Sequence, residues 1–243
     1  MLIVIPCAGN SKRYPGTRPK YLLTMPDGRL MVEWAAHNYL NKYPIRIIIT
    51  RQHEAQHDAR NILSSAFKNN PMVEIVTIEG NTNGPAETIY VGTMDLLDGT
   101  IIVQDCDSFF EYTIPENKNF ACYINLEDYP KLDEIASKSF MTMHAPTETI
   151  SSIIEKQVIS NQVCVGAYGI SQLSTFRTAY QYLSIGTEEI YISHCIKTLL
   201  NLDVPFNAVH ATNYRDMGSI SNYDALRNAY ATYFIDIDGT IIK

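Results

Sequence analysis

Lys12, Arg13, Arg18 and Lys20 place four cationic side chains within nine positions, directly behind the small residues Gly9, Asn10 and Ser11. Small residues let a backbone turn sharply and present several N–H groups to one anion. The turn follows a short apolar run, Leu2 to Ile5, which reads as a buried strand. A strand running into such a turn and then a basic cluster is a good place to hold a polyphosphate. A second set of groups suits the same chemistry. Asp105 and Asp107 stand at i and i+2 after another apolar run, and Asp216 lies far along the chain. Magnesium takes oxygen ligands, commonly one or two carboxylates with phosphate oxygens and water. A single loop aspartate is usually a turn former; the company of phosphate binders at neighbouring strand ends is what makes these three metal candidates. The alternative for the stretch from Gly9 to Lys20 is an ordinary βα turn followed by a solvated basic loop.

The elements that must position these groups follow from periodicity. Helical spacing is expected over Met31 to Tyr43, His53 to Asn69, Pro85 to Leu97, Gln172 to Leu183, Glu188 to Asn201 and Ser221 to Ala231, the last with Ser221 as its N-cap. Strands are expected at Ile45 to Thr50, Val73 to Ile78, Thr100 to Gln104, Phe120 to Asn125, Ser152 to Glu155, Val163 to Ile170 and Phe206 to Ala211. The early strand–helix alternation predicts an α/β fold: a Rossmann-like mixed, mostly parallel central sheet with helices on both faces. In such sheets ligands bind beyond the carboxyl ends of the strands. The basic loop and the Asp105/Asp107 pair both leave such ends.

The chain has 243 residues, 46% hydrophobic and 19% charged, which suits one large soluble domain with a short appendage. A net charge of −7 argues against nucleic acid and anionic membranes as partners, so an anionic substrate needs a local basic site. The five cysteines have no C-x-x-C spacing, which predicts neither a disulfide framework nor a zinc site and fits a reducing cytoplasm. Assembly as a homo-oligomer stays open.

Taken together, ordered pieces of the chain resemble the sugar-phosphate nucleotidylyltransferases, in particular their cytidylyltransferase-like members. Ala8-Gly9-Asn10-Ser11-Lys12-Arg13 followed by Arg18-Pro19-Lys20 resembles A-G-x-G-x-R…P-K, with Ser11 in place of the second glycine. Gly84-Pro85-Ala86-Glu87 resembles the segment that lies against the base, and Asp105-Cys-Asp107-Ser108 the magnesium-aspartate segment, Asp107 being the closer match. Glu155-Lys156 is similar to the pair whose lysine contacts the acceptor phosphate. Gly166-Ala-Tyr-Gly169 is similar to the G-x-Y strand, and Asp216-Met-Gly218 with Tyr223 to the segment that supplies the second metal aspartate. The resemblance implies catalytic roles for Arg13, Lys20 and Lys156. It implies nucleotide contacts from Ala8, Gly9, Asn10, Ser11, Gly84, Ala86 and Glu87, and Mg2+ on Asp107 and Asp216, with Asp105 beside them. The implied reaction joins NMP from a nucleoside triphosphate, CTP favoured, to a phosphorylated sugar or polyol for surface (capsular) polysaccharide precursors, releasing pyrophosphate. UTP or dTTP with a sugar 1-phosphate is the nearer alternative, and a non-catalytic nucleotide-binding regulatory protein the more distant one. The joint presence of Arg13, Lys20, Asp107 and Asp216 argues against the latter.

Residues 1–231 carry this resemblance. Residues 232–243 carry another: Asp236-Ile-Asp238-Gly-Thr resembles the opening D-x-D-G-T of haloacid-dehalogenase-type phosphatases. The expectation is the front part of a bifunctional protein, its second domain cut just after the start and without phosphatase activity of its own.

Overall fold

The first strand shows why the sheet is covered twice. In β1 (Leu2–Pro6), Ile3 and Ile5 point into one apolar cluster and Val4 into another. A strand buried on both faces must be apolar throughout, so Leu2 to Ile5 shows no alternation. The computed structural model describes residues 1–11, 13–132, 134–184 and 189–230. Its elements are, in order, β1, α1 (Met31–Ala35), β2 (Ile45–Thr50), α2 (Arg51–His57), α3 (Ala59–Ala66), β3 (Val73–Ile78), α4 (Pro85–Gly92), β4 (Ile101–Gln104), β5 (Ser108–Glu111), β6 (Phe120–Asn125), β7 (Ser139–His144), β8 (Thr149–Glu155), β9 (Gln162–Ile170), α5 (Leu173–Leu183), α6 (Ile192–Leu200), β10 (Asn207–His210), β11 (Thr212–Asp216) and α7 (Ile220–Asn228).

Nine strands form one mixed sheet in the order β3-β2-β1-β4-β9-β6-β10-β8-β7. Strands β1 to β4 pair in parallel, β6 pairs in parallel with β10, and only β8 and β9 run against the rest. The mixed sheet with helices on both faces is therefore as expected. Side chains of α1 and α3 cover the face holding Ile3 and Ile5, whereas α4, α5 and α6 cover the face holding Val4. Strand β7 also pairs with β9, so β9-β6-β10-β8-β7 closes on itself. A separate ribbon of β5 and β11 is antiparallel.

Several expected elements are shorter or divided. The helix expected from His53 to Asn69 is two helices, because Asp58 takes a left-handed conformation (φ 53°) between them. The first begins at Arg51, capped by Thr50, whose hydroxyl accepts the His53 N–H at 3.1 Å. Helix α1 stops at Ala35 and continues as turns, where Asn38 and Tyr39 are drawn to the Phe110 carbonyl (2.8 Å) and the Gln104 side chain (2.9 Å). Similarly α4 ends at Gly92. The cap of α7 is Ser219, not Ser221: its hydroxyl accepts the Asn222 N–H at 3.3 Å. Strands β5, β7 and β11 were not expected. No helix among the described residues is long and apolar enough to cross a membrane. The Asp236/Asp238 motif and Glu188 lie outside the described residues, as does Lys12.

Candidate active site

Because β1 and β4 lie side by side in parallel (Leu2 opposite Ile101, Val4 opposite Val103), the loops that leave their carboxyl ends are neighbours. The basic loop is folded back by its own serine: Ser11 (φ 47°) accepts the Lys20 N–H on its hydroxyl at 3.1 Å. The Lys20 ammonium then donates to Asp107 Oδ2 at 2.5 Å. Among the described residues, the N–H groups of Gly9 and Asn10 have no acceptor, and both residues are exposed. This is the arrangement an anion-binding turn requires.

Asp216 reaches the same place through the two-stranded ribbon, whose register sets it opposite Ser108. Past the ribbon's end, the Met217 N–H donates to the Asp107 carbonyl at 2.9 Å. The buried Tyr14 hydroxyl donates to the Met217 carbonyl at 2.5 Å and lies 2.9 Å from that of Ser219. A Cβ at Gly218 would sit 3.0 Å from Asp216 Oδ1, 3.3 Å from Asp107 Oδ2 and 3.4 Å from Arg13 Nη1. Three groups from distant parts of the sequence thus converge on one point.

That point borders a cavity of about 150 Å³ whose lining includes Arg13, Asp105, Asp107 and Asp216. Lys138, Ser139, Glu155, Tyr191 and Ser193 line the same cavity. The Lys138 ammonium donates to Asp216 Oδ2 at 2.5 Å and to the Tyr214 hydroxyl at 3.3 Å. Glu155 Oε2 accepts from both the Ser139 and the Ser193 hydroxyls, the latter at 2.6 Å. Arg13 is half-exposed and pairs with Glu134 at 2.9 Å.

Asp105 and Asp107 are shifted in opposite directions. Burial works to raise the Asp107 pKa, but Lys20, with Arg13 and Lys138, outweighs it and holds the carboxyl below its ordinary value. Asp105 is pushed up to about 7, first by burial and then by the charge of Asp107. Its carboxylate packs against Gly166, where an added Cβ would lie 2.4 Å from Oδ2. Burial pulls Lys20 down, yet Asp107 raises it overall, so the pair is fully charged near neutrality.

The donors fit magnesium. Asp107 and Asp216 offer hard oxygens at one point, and each already holds a cation, the ammonium of Lys20 or of Lys138. Among the described residues no group of three or more His, Cys, Asp or Glu side chains is arranged to hold a metal. Two carboxylates with the remaining positions left to water and phosphate is a common magnesium arrangement.

The remaining sequence candidates border this centre. Lys156 (φ 55°) lies outside the lining; its ammonium donates to the Tyr191 hydroxyl at 2.5 Å and sits 4.3 Å from that ring's centre. Gly84 (φ 110°) caps α4 against Ile190: an added Cβ would be 2.7 Å from the Ile190 carbonyl oxygen. The Ala86 N–H donates to that same oxygen at 3.2 Å, and Glu87 accepts the Asn83 N–H. Ala8 is buried at the foot of the basic loop. Sequence reasoning missed Lys138, Tyr14 and Tyr191. Lys138 immediately precedes β7, and the apolar Phe140, Met141 and Met143 were the signal that a strand starts there.

No protein-family model and no curated protein matches the sequence. Solved structures do. A nucleoside-diphosphate-sugar pyrophosphorylase from Vibrio cholerae RC9 superposes with a TM-score of 0.78 at 20% identity, covering 93% of this chain and 99% of that one. The inositol-1-phosphate CTP transferase from T. maritima gives 0.68 at 14% identity, over 93% and 94%. A UDP-glucose pyrophosphorylase complexed with UDP-glucose gives 0.71 at 15% identity, over 94% and 97%. Over nearly its whole length, the chain has the fold of the nucleotide-diphospho-sugar transferases.

Proposed function

We propose that this protein is a magnesium-dependent nucleotidylyltransferase that joins NMP to a phosphorylated sugar or polyol and releases pyrophosphate. The convergence of Asp107, Asp216 and Arg13 on one point, with Lys20 bound to Asp107, carries the proposal. The likeness to enzymes named for CTP and UDP-sugar chemistry supports it.

An oxygen of the acceptor phosphate attacks the α-phosphorus; the new P–O bond forms as the α–β bond breaks, and pyrophosphate carries away the electron pair. A phosphate dianion needs no general base, so the chain's contribution is positioning and charge neutralisation. The open N–H groups of Gly9 and Asn10, with Arg13 and Lys20, hold the triphosphate. Arg13 is always charged and planar, suited to a fixed clamp, whereas Lys20 is a compact point charge. Asp107 and Asp216 would hold magnesium, which supplies charge stabilisation at the phosphoryl oxygens. Glu155 and the two serines bonded to it face the same cavity and suit an acceptor's hydroxyl groups. CTP is the favoured nucleotide on the resemblance of Asp105-Cys-Asp107-Ser108 to cytidylyltransferases, and a surface polysaccharide precursor is the favoured product.

The test is magnesium-dependent pyrophosphate release with CTP, UTP, dTTP, GTP and ATP, each against a panel of sugar and polyol phosphates. Release with a CTP pair is the expected result. Release with UTP or dTTP alone overturns the base assignment, and nucleotide binding without release from any pair overturns the reaction.

A further inference from the structure

The geometry points to Lys138 as a further catalytic residue, the cation that takes the acceptor's phosphate within the cavity. The inference rests on the nucleotidyl-transfer reading above. It begins with where the cations come from. Arg13 and Lys20 belong to the basic loop after β1 and account for the triphosphate side. In-line displacement brings the attacking oxygen to the α-phosphorus from the side opposite the leaving pyrophosphate. A second phosphate therefore approaches from the side away from the pyrophosphate, and the two polyanions repel unless a further cation stands beside them.

Lys138 is a cavity-lining cation that does not come from the basic loop. It immediately precedes β7, next to Ser139, and its backbone carbonyl accepts the Lys156 N–H at 3.0 Å. Its side chain is only 12% exposed and lines the cavity together with Ser139, Glu155 and Tyr191. Lys156, by contrast, is exposed and holds its ammonium over the Tyr191 ring. An ammonium has three donors. Lys138 uses one on Asp216 at 2.5 Å and a second on the Tyr214 hydroxyl at 3.3 Å, and no third acceptor is present among the described residues. The third donor is free for a phosphate oxygen. The bond to Asp216 also ties this cation to one of the two proposed magnesium carboxylates, so the acceptor phosphate would be received directly beside the reacting centre.

The test separates the two substrates. With the nucleotide–acceptor pair that the wild-type protein turns over, Lys138→Met is expected to raise KM for the phosphorylated acceptor tenfold or more, with KM for the nucleotide within twofold. Lys138→Arg keeps the charge and should recover most of that loss, which also guards against a variant that merely misfolds. Unchanged acceptor KM in folded Lys138→Met, or a rise confined to the nucleotide, overturns the assignment. Inorganic phosphate titrated calorimetrically into magnesium-free protein gives a readout independent of turnover: Lys138→Met should bind it at least tenfold more weakly. Equal phosphate affinity in wild type and variant also overturns the assignment. A wild-type protein that binds phosphate through Lys138 but releases no pyrophosphate from any pair would sink the nucleotidyl-transfer reading while upholding the anion site.

Discussion

The Met217 N–H donates to the carbonyl of Asp107 at 2.9 Å, so the two acids of the cleft are held in register by main chain. Side-chain changes can therefore remove either carboxylate without releasing the segment that carries it. Asp107→Asn is expected to fold, because an amide oxygen still accepts from Lys20, and to lower kcat by at least about 100-fold, the scale of losing one preorganised electrostatic contact at a transition state. Pyrophosphate release over a magnesium series, with a melting curve of the same variant, checks both halves.

Tyr14 supports that same segment from beneath. Its hydroxyl meets the Met217 and Ser219 carbonyls and has no competing acceptor in view. Tyr14→Phe should cost about 1–2 kcal/mol of stability, since it leaves buried carbonyls without their donor. It should also raise the magnesium concentration needed for half-maximal activity, because Asp216 lies next to Met217. Urea denaturation and a magnesium titration measure the two effects separately.

Arg13 meets Glu134 at 2.9 Å before any phosphate can meet it. Glu134→Gln is expected to lower KM for the nucleotide by up to about fivefold, the most that a solvent-exposed pair worth about 1 kcal/mol can return. The gain should shrink in high salt, as the competing pair is screened.

Asp105 makes stability depend on pH. Its folded pKa of about 7 lies above the usual aspartate value of about 3.9. Between the two values the folded chain keeps a proton that the unfolded chain has released, so stability falls as pH rises through that window and levels off above it. Asp105→Asn should flatten the slope. Denaturation midpoints between about pH 4 and about pH 7, taken without divalent cation, decide it.

Gly166 has φ of +94° and packs its Cα side against the Asp105 carboxylate. Gly166→Ala combines a strained backbone with a contact of 2.4 Å, and should destabilise the protein by at least about 2 kcal/mol. A melting temperature equal to wild type would refute that account.

Much of the parallel half was legible because its strands are β-branched runs and its helices amphipathic. Ile45 to Thr50 and Val73 to Ile78 appear with the expected bounds. The basic loop and the acids at 105, 107 and 216 could be named because each belongs to a compact motif. The irregular stretch from Phe109 to Gln162 resisted, since its strands are fixed by pairing with distant partners. β11, for example, exists through β5, about a hundred residues earlier. Lys138 was missed for that reason: the apolar residues after it mark a strand, but no local pattern marks a lysine whose partner is Asp216. The division of the helix at Asp58 and the choice of Ser219 over Ser221 turned on single backbone angles and caps.

Strand β9 belongs to two hydrogen-bonded systems at once. It pairs with β4 of the open parallel half and with β6 and β7 of the closed ring. Loops of the open half carry Arg13, Lys20 and Asp107, while strands of the ring carry Ser139 and Glu155, with Lys138 directly before the first of them. A single strand thus fastens the half whose loops would handle the triphosphate to the half whose strands would handle its acceptor. If the proposed division of roles holds, grafting another ring onto this β9 would exchange the group being activated and leave the handling of the triphosphate as it was.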